Sequence, residues 1–221
     1  GEGVGAARRD RMARNPDSFR FAHQVPSLDR YTCRESSAYL VEQLKEGKNV
    51  LLEGTQGCGL SLIHGSWPHV TTADTNSAQL VADAGLPPHW VTDCVLVVRT
   101  YPIRVAGPSG PLHRELTWSQ VSERVGKPVC ETTTVTKKQR RIGEWDEQLV
   151  RQAVTINAPT EIALTFLDYF APEDADKTEF NKLSEKSKDF VHYLERTFSA
   201  PVTMIGTGFS EKEGWSYVEK R

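Results

Sequence analysis

The chain has 221 residues, 38% of them hydrophobic, enough to bury one core of ordinary domain size. Its 27 basic and 29 acidic side chains leave a formal net charge of −2, which argues against a nucleic-acid or membrane-surface protein and favours small-molecule partners. Cys33, Cys58, Cys94 and Cys130 are widely spaced without a CxxC pair, and no apolar run reaches about 18 residues, so reduced thiols and a cytoplasmic location are expected.

In chain order, Asn15 to Ser27 reads as a surface loop. Glu35 to Glu46 is predicted to be helical, with Leu40 and Leu44 on one face and Gly47 placed to cap its end. Asn49 to Leu52 then reads as a buried strand, a continuous apolar run bracketed by Gly47 and Gly54. Glycines 54, 57 and 59 follow; they admit close backbone approach or positive φ and leave Thr55 and Gln56 as the available side chains. This is no Walker A, because Cys58-Gly59-Leu60 supplies neither the lysine nor the magnesium-binding hydroxyl. The local pattern alone fits a binding loop or a tight strand-to-helix turn.

Asp93 to Thr100 is the clearest second buried strand. Asp146 to Asn157 places Leu149, Ala153 and Ile156 on a helical stripe, and Glu161 to Leu167 is a further strand ending at Asp168. Ala171 to Thr178 reads as a surface loop. Asn181 to Phe198 is an amphipathic helix with Leu183, Phe190, Leu194 and Phe198 inward, and Pro201 to Ile205 a final strand. Helices alternating with apolar strands predict one α/β domain over 1–221. His64 and His69, five apart, lack an evident third ligand and read as packing residues.

The run Glu53-Gly54-Thr55-Gln56-Gly57, followed by His64-Gly65-Ser66-Trp67-Pro68-His69-Val70-Thr71, resembles the central signature of adenylosuccinate synthetases, EG-x-QG then HG-x-YP-x-VT. The family's glutamine and threonine stand fifteen apart, as Gln56 and Thr71 do. Gly1-Glu2-Gly3-Val4-Gly5 is similar to the family's G-x-G-[IV]-G segment, and Arg14 falls where the family has an arginine that reaches the other subunit's nucleotide. Arg104-Val105 matches the RVG element, Thr136 to Arg141 the TGRRRR loop, Leu167-Asp168 the K-x-D element and Thr207-Gly208 the S-T-G element.

The resemblance implies a P-loop-NTPase-like fold with a mostly parallel central sheet flanked by helices. It implies a homodimeric, Mg2+-dependent ligase acting on small molecules. A nucleoside triphosphate, ATP or GTP, phosphorylates the purine 6-oxygen of a monophosphate, and the amine of L-aspartate displaces the phosphate. Gln56 would orient the reacting groups, with Arg14, Thr55, Thr71 and Val105 also on the monophosphate. Its amide and carbonyl suit a purine edge. Thr134, Thr136, Lys137, Lys138 and Arg140 would take the aspartate; this loop combines hydroxyls with cations, and Arg140 has the fork to hold a carboxylate bidentately. Asp168, Phe166, Thr207 and Gly208, again with Arg140, would hold the triphosphate.

Three departures cluster around substrate choice. The lysine of K-x-D is Phe166, an arginine of the TGRRRR loop is Lys138, and RVGAGP becomes Arg104-Val105-Ala106-Gly107-Pro108-Ser109. Together they resemble the bacteriophage branch, the 2-aminoadenylosuccinate synthetases, which implies dGMP as acceptor and ATP as donor. A missing 2'-hydroxyl makes loss of a ribose-reading arginine tolerable. The family's N-terminal phosphate-binding motif, catalytic aspartate and general-acid histidine do not occur in these residues. The chain is therefore expected to be the C-terminal two-thirds of such an enzyme, a fragment or a separately made portion, with the principal acid and base and most Mg2+ ligands outside it.

Overall fold

The computed structural model describes residues 3–33, 35–210 and 214–220. Gly1 and Glu2 of the N-terminal glycine-rich segment lie outside the described residues, while Gly3 to Gly5 open the first helix. Packing divides the chain into two compact units, Gly1–Thr92 and Asp93–Arg221.

The first unit carries helices α1 (Gly3–Ala13), α2 (Pro26–Asp29), α3 (Ser36–Lys45) and α4 (Ser77–Ala84). The predicted cap of α3 forms: Gly47 has φ +80°, its N–H reaches the Leu44 carbonyl at 3.0 Å, and the Lys48 N–H reaches Gln43 at 3.0 Å. α4 was not foreseen, although Asn76 caps its start through the Gln79 N–H at 2.8 Å and Gly85, φ +69°, closes its end. Asn49 to Leu52 is not a strand. No neighbouring strand in this unit offers it a ladder among the described residues, and Leu51 is 87% exposed.

The second unit is built on a four-stranded sheet of β1 (Val95–Arg99), β5 (Glu161–Thr165), β6 (Val202–Ser210) and β7 (Gly214–Glu219), in that order. β1 and β6 flank β5 in parallel, and β7 returns antiparallel to β6. A smaller antiparallel sheet, in the order β2 (Ile103–Arg104), β4 (Arg141–Gly143), β3 (Glu115–Leu116), stands beside α5 (Trp118–Val125). The remaining helices are α6 (Glu147–Asn157), α7 (Leu167–Phe170) and α8 (Glu185–Phe198).

The strands form where β-branched runs bury one face. Val98, Ile162, Leu164, Val202, Ile205 and Val218 meet Val191, Leu194 and Phe198 of α8 in the main core. A second core gathers Tyr101, Trp118, Val121, Val125 and Ile142. Each such buried apolar side chain contributes about 1.5–3 kcal/mol.

Several boundaries differ from the sequence expectation: the predicted loop Asn15 to Ser27 gives way to a 3-10 turn at Ala22–Gln24 and to α2 at Pro26, β1 is shorter at both ends, and three more differ for local reasons. β5 stops at Thr165 because Phe166 turns to φ +60°, and Leu167 starts a helix there instead of ending the strand. α8 begins at Glu185, four residues late, because the Ser184 hydroxyl takes the Ser187 N–H at 3.3 Å; Asn181 belongs to a preceding 3-10 turn. β6 runs on to Ser210 because β7, unforeseen, pairs with its second half.

Candidate functional site

In the first unit, Gln56 sits at the centre of a three-residue turn, φ +82°, closed by the Gly57 N–H on the Thr55 carbonyl at 3.2 Å. This γ geometry is rare and strained for a side-chain-bearing residue, and such strain collects at binding sites. The Thr75 hydroxyl pins it by donating to the Gly57 carbonyl at 2.9 Å. Thr55 and Gln56 are exposed, so neither side chain is used in packing.

From Gly57 to Thr75 the chain folds on itself. The Thr71 N–H reaches Leu60 at 2.8 Å, the Leu62 N–H reaches Ala73 at 3.1 Å, and the Ser66 N–H reaches Gly59 at 3.1 Å. Asp74 accepts from the Ser61 hydroxyl at 2.5 Å and the Ile63 N–H at 3.1 Å; those bonds hold its carboxyl below the usual range. Gly65 is dictated by space, since a Cβ there would lie 2.4 Å from the Ser61 carbonyl oxygen. The loop thus fixes Gln56 at its start and half-buried Thr71 near its end. Arg14 is exposed after α1, at φ +56°.

In the second unit the carboxyl ends of the parallel strands converge, the usual place for a ligand crevice in such sheets. Arg99 ends β1, Phe166 and Asp168 follow β5, and Thr207 and Gly208 lie on β6 beyond its pairing with β5. The Thr100 hydroxyl donates to the Phe166 carbonyl at 2.6 Å, locking the backbone that Phe166 strains. Arg99 pairs with Glu131 at 2.6 Å and donates to the Tyr101 carbonyl at 3.1 Å.

Burial pushes the Asp168 carboxyl up, reinforced by Asp176, while Lys127 and Arg99 oppose it. Burial, then the carboxylates of Glu131 and Asp168, push the Tyr169 phenol up to about 12. Thr207 is fully buried and its hydroxyl donates to the Lys177 carbonyl at 2.7 Å, so its side chain shapes the wall rather than facing a ligand. At Gly208 a Cβ would meet Asp176 Oδ1 at 2.5 Å.

The predicted aspartate loop is a hairpin closed by the Thr132–Gln139 bridge and by the Thr133 N–H on the Lys138 carbonyl at 2.9 Å. Thr136 shares a 2.6 Å hydrogen bond with Thr133, and Lys137 takes φ +53° at the tip. Thr134, Thr136, Lys137 and Lys138 are exposed, and no ion pair engages either lysine among the described residues. Arg140 turns back to the hairpin base, its N–H on the Glu131 carbonyl at 2.8 Å and its own carbonyl accepting from the Trp118 indole at 2.7 Å.

Val105 stands exposed on a separate loop that Arg141 grips, through the Gly110 carbonyl at 2.8 Å and the Ser109 hydroxyl at 3.2 Å. Burial and the charge of Arg141 lower the pKa of neighbouring Arg104. A cavity of about 210 Å³ bordered by Tyr101, His113, Arg124, Glu144 and Trp145 contains none of the predicted site residues.

Within each unit, then, the structure gathers Thr55, Gln56 and Thr71 on one folded loop, and Phe166, Asp168, Thr207 and Gly208 at one sheet end. Sequence reasoning missed Arg99 and Glu131. A charged residue closing the apolar run DCVLVVRT was the available signal for Arg99.

The family model described as adenylosuccinate synthetase matches residues 15–175. The adenylosuccinate synthetase of Methanocaldococcus jannaschii is 39% identical over 208 residues, 94% of this chain and 58% of that protein. That of Thermococcus sibiricus is 39% identical over 215 residues, again 94% of this chain and 59% of the relative. The chain therefore spans a little under three fifths of the length of the curated relatives it matches.

Among solved structures, cyanophage S-2L succinoaminodeoxyadenylate synthetase bound to dGMP and dATP as an energy donor superposes with a TM-score of 0.74 at 29% identity, covering 94% of this chain and 58% of that one. Fully ligated Plasmodium falciparum adenylosuccinate synthetase gives a TM-score of 0.72 at 22% identity, over 85% and 54% of the two chains, a likeness of fold. With a family model covering most of its length and the motif residues held at a loop and a sheet end, the chain belongs to the adenylosuccinate synthetase family.

Proposed function

We propose that the chain is the substrate-binding part of a C–N bond-forming ligase of purine nucleotide synthesis, which joins L-aspartate to C6 of a purine nucleoside monophosphate at the expense of a nucleoside triphosphate. The observation that carries this reading is Gln56, held exposed in a strained turn on the folded loop that also carries Thr71. Gln56 orients the purine base, with Thr55, Thr71 and Val105 on the monophosphate. Arg14 of a second subunit completes that site in a cytoplasmic homodimer.

The exposed cations Lys137 and Lys138, with Thr134, Thr136 and Arg140, hold the two carboxylates of aspartate. Cations and hydroxyls fixed where anionic charge develops favour both phosphorylation and displacement. Asp168 and Phe166 hold the donor's base, with Thr207 and Gly208 forming another wall of its pocket. Mg2+ would be held mainly by residues outside this chain, together with the phosphates of the donor.

We further propose the phage-type substrates, dGMP with ATP, giving 2-amino-2'-deoxyadenylosuccinate for diaminopurine DNA. Phe166 replaces a base-covering lysine, Lys138 replaces an arginine, and the cyanophage enzyme is similar over nearly the whole chain. The second reading, IMP with GTP, is favoured by the names of the curated relatives. A third, a nucleotide-binding or dimerisation module without catalysis of its own, follows from the share of the relatives' length that the chain spans. Steady-state assay of the ligase containing this chain, comparing dGMP plus ATP with IMP plus GTP, tests the proposal. A preference for IMP plus GTP overturns the phage reading, and turnover by this chain alone overturns the module reading.

A further inference from the structure

The residues assigned so far leave unused an aromatic corner on the β6–β7 hairpin. Phe209 and Trp215 face each other across the hairpin with ring centroids 4.8 Å apart, yet remain 58% and 63% exposed. Trp215 also meets Phe166 edge-on at 6.3 Å, so the patch is continuous with the carboxyl end of β5. Phe166 is held from behind: the Arg99 guanidinium carbon lies 3.5 Å over its ring, and Arg99 is itself held by Glu131 and the Tyr101 carbonyl.

Carboxylates rim the corner. Asp176 accepts from the Ser216 hydroxyl at 2.9 Å beside Gly208, and its charge adds to the burial that pushes the nearby Asp168 carboxyl up. Exposed aromatic faces beside carboxylate acceptors, along a strand carrying Gly206 and Gly208, fit a flat ring bearing amino groups. They do not fit the anionic part of a nucleotide, which the carboxylates repel.

We infer that Trp215, backed by Phe209, is a stacking surface for the purine base of the donor nucleotide, and that Arg99 is a positioning residue that holds Phe166 as the second wall. This rests on the donor site proposed above. Stacking of a base on an aromatic side chain is of a size that removal shows as roughly a tenfold loss of affinity.

Saturation-transfer NMR and titration of the ligase containing this chain with ATP, GTP and inorganic tripolyphosphate test the inference. In the unsubstituted ligase, saturation reaches the base protons of ATP. Trp215→Ala weakens ATP and GTP about tenfold, Trp215→Phe restores most of the loss, and tripolyphosphate is unaffected. Arg99→Gln weakens both nucleotides but not tripolyphosphate, and Arg99→Lys, which keeps a cation over the ring, retains binding. Equal ATP affinity in the unsubstituted ligase and Trp215→Ala overturns the inference and leaves the donor site standing. Absence of nucleotide binding by the unsubstituted ligase at millimolar concentration overturns both.

Discussion

The Arg141 guanidinium engages both carboxylate oxygens of Glu115, at 2.7 and 2.5 Å, while its remaining nitrogen reaches the Gly110 carbonyl. One side chain thus joins β4, at the end of the aspartate hairpin, to β3 and to the loop bearing Val105. A lysine supplies the charge but not the fork. Arg141→Lys is expected to cost about 1 kcal/mol in urea unfolding, as befits a partly exposed pair. In the assembled ligase it should raise the KM for the monophosphate severalfold with little change in kcat, because the Val105 loop loses its anchor. An unchanged KM would separate this loop from acceptor binding.

Asp174 supports a prediction about acid stability. It is fully buried and accepts from Lys177 Nζ at 2.7 Å, the Ser184 N–H at 2.8 Å, and the hydroxyls of Ser184 and Ser187 at 2.7 and 2.5 Å. Burial alone would raise its pKa, but these donors outweigh it and bring the carboxyl down to about 2. In the unfolded chain it titrates near 3.9. The unfolded state therefore takes up the proton first, so the contribution is complete above about pH 5 and is lost as pH falls through 4 toward 2. Its size is about 2 kcal/mol. Asp174→Asn should cost about 3 kcal/mol at neutral pH and flatten the stability profile between pH 5 and 2, measured by denaturant unfolding at each pH.

The elements legible in the sequence are those whose pattern and caps agree. DCVLVVRT gave β1, although Val98 alone of its apolar run is fully buried in the core with β5 and α8 while Val95 and Val97 stay exposed, and Asp146 and Gly47 cap helices where their residue types indicate. Asn49 to Leu52 shows the converse. Its apolar run matches a strand, but a strand exists only with a partner, and partners are not written in local sequence. β7 was missed because Trp215 and Tyr217 lie exposed and alternate with Ser216 and Val218, so no continuous apolar run marks it. At the site, the resemblance of Phe166-Leu167-Asp168 to the K-x-D element pointed to Phe166 and Asp168. Arg99 and Glu131 emerged only when β1, β5 and the hairpin base were brought together by folding.

Lys138 gives a test of acceptor choice. It is exposed, free of ion pairs among the described residues, and stands where the resembling family has an arginine. If the acceptor is a deoxynucleotide, restoring the fork with Lys138→Arg should raise kcat/KM for the ribonucleotide acceptor relative to its 2'-deoxy form by about fivefold or more, roughly 1 kcal/mol. Stability should stay within ~0.5 kcal/mol, as for most surface substitutions. A ratio that does not move removes the ribose hydroxyl from the explanation of this substitution.

Gly65→Ala probes the folded loop between Gln56 and Thr71. The new methyl would lie 2.4 Å from the Ser61 carbonyl oxygen and 2.7 Å from that of Gly59, both backbone atoms that cannot swing aside. The loop must open, at a cost of about 1–3 kcal/mol. Amide exchange should accelerate for Leu62, Ser66 and Thr71, whose N–H bonds close the loop, and remain unchanged in β5 and β6. Exchange that stays slow in the loop would show that the strain is absorbed elsewhere.

Gln56 yields two effects of opposite sign. Its φ of +82° is costly for any residue with a Cβ, and glycine adopts it freely. Gln56→Gly should therefore stabilise the chain by up to about 1 kcal/mol while removing the amide that reads the purine, so acceptor affinity falls as stability rises. Gln56→Ala separates the two contributions. It keeps the strained turn, so stability stays near that of the unsubstituted chain, yet it loses the same acceptor contacts. Binding losses should match in the two variants and stability should differ. Were Gln56→Gly instead to destabilise the chain, the glutamine side chain would be holding the loop together, and the strain would belong to folding rather than to recognition.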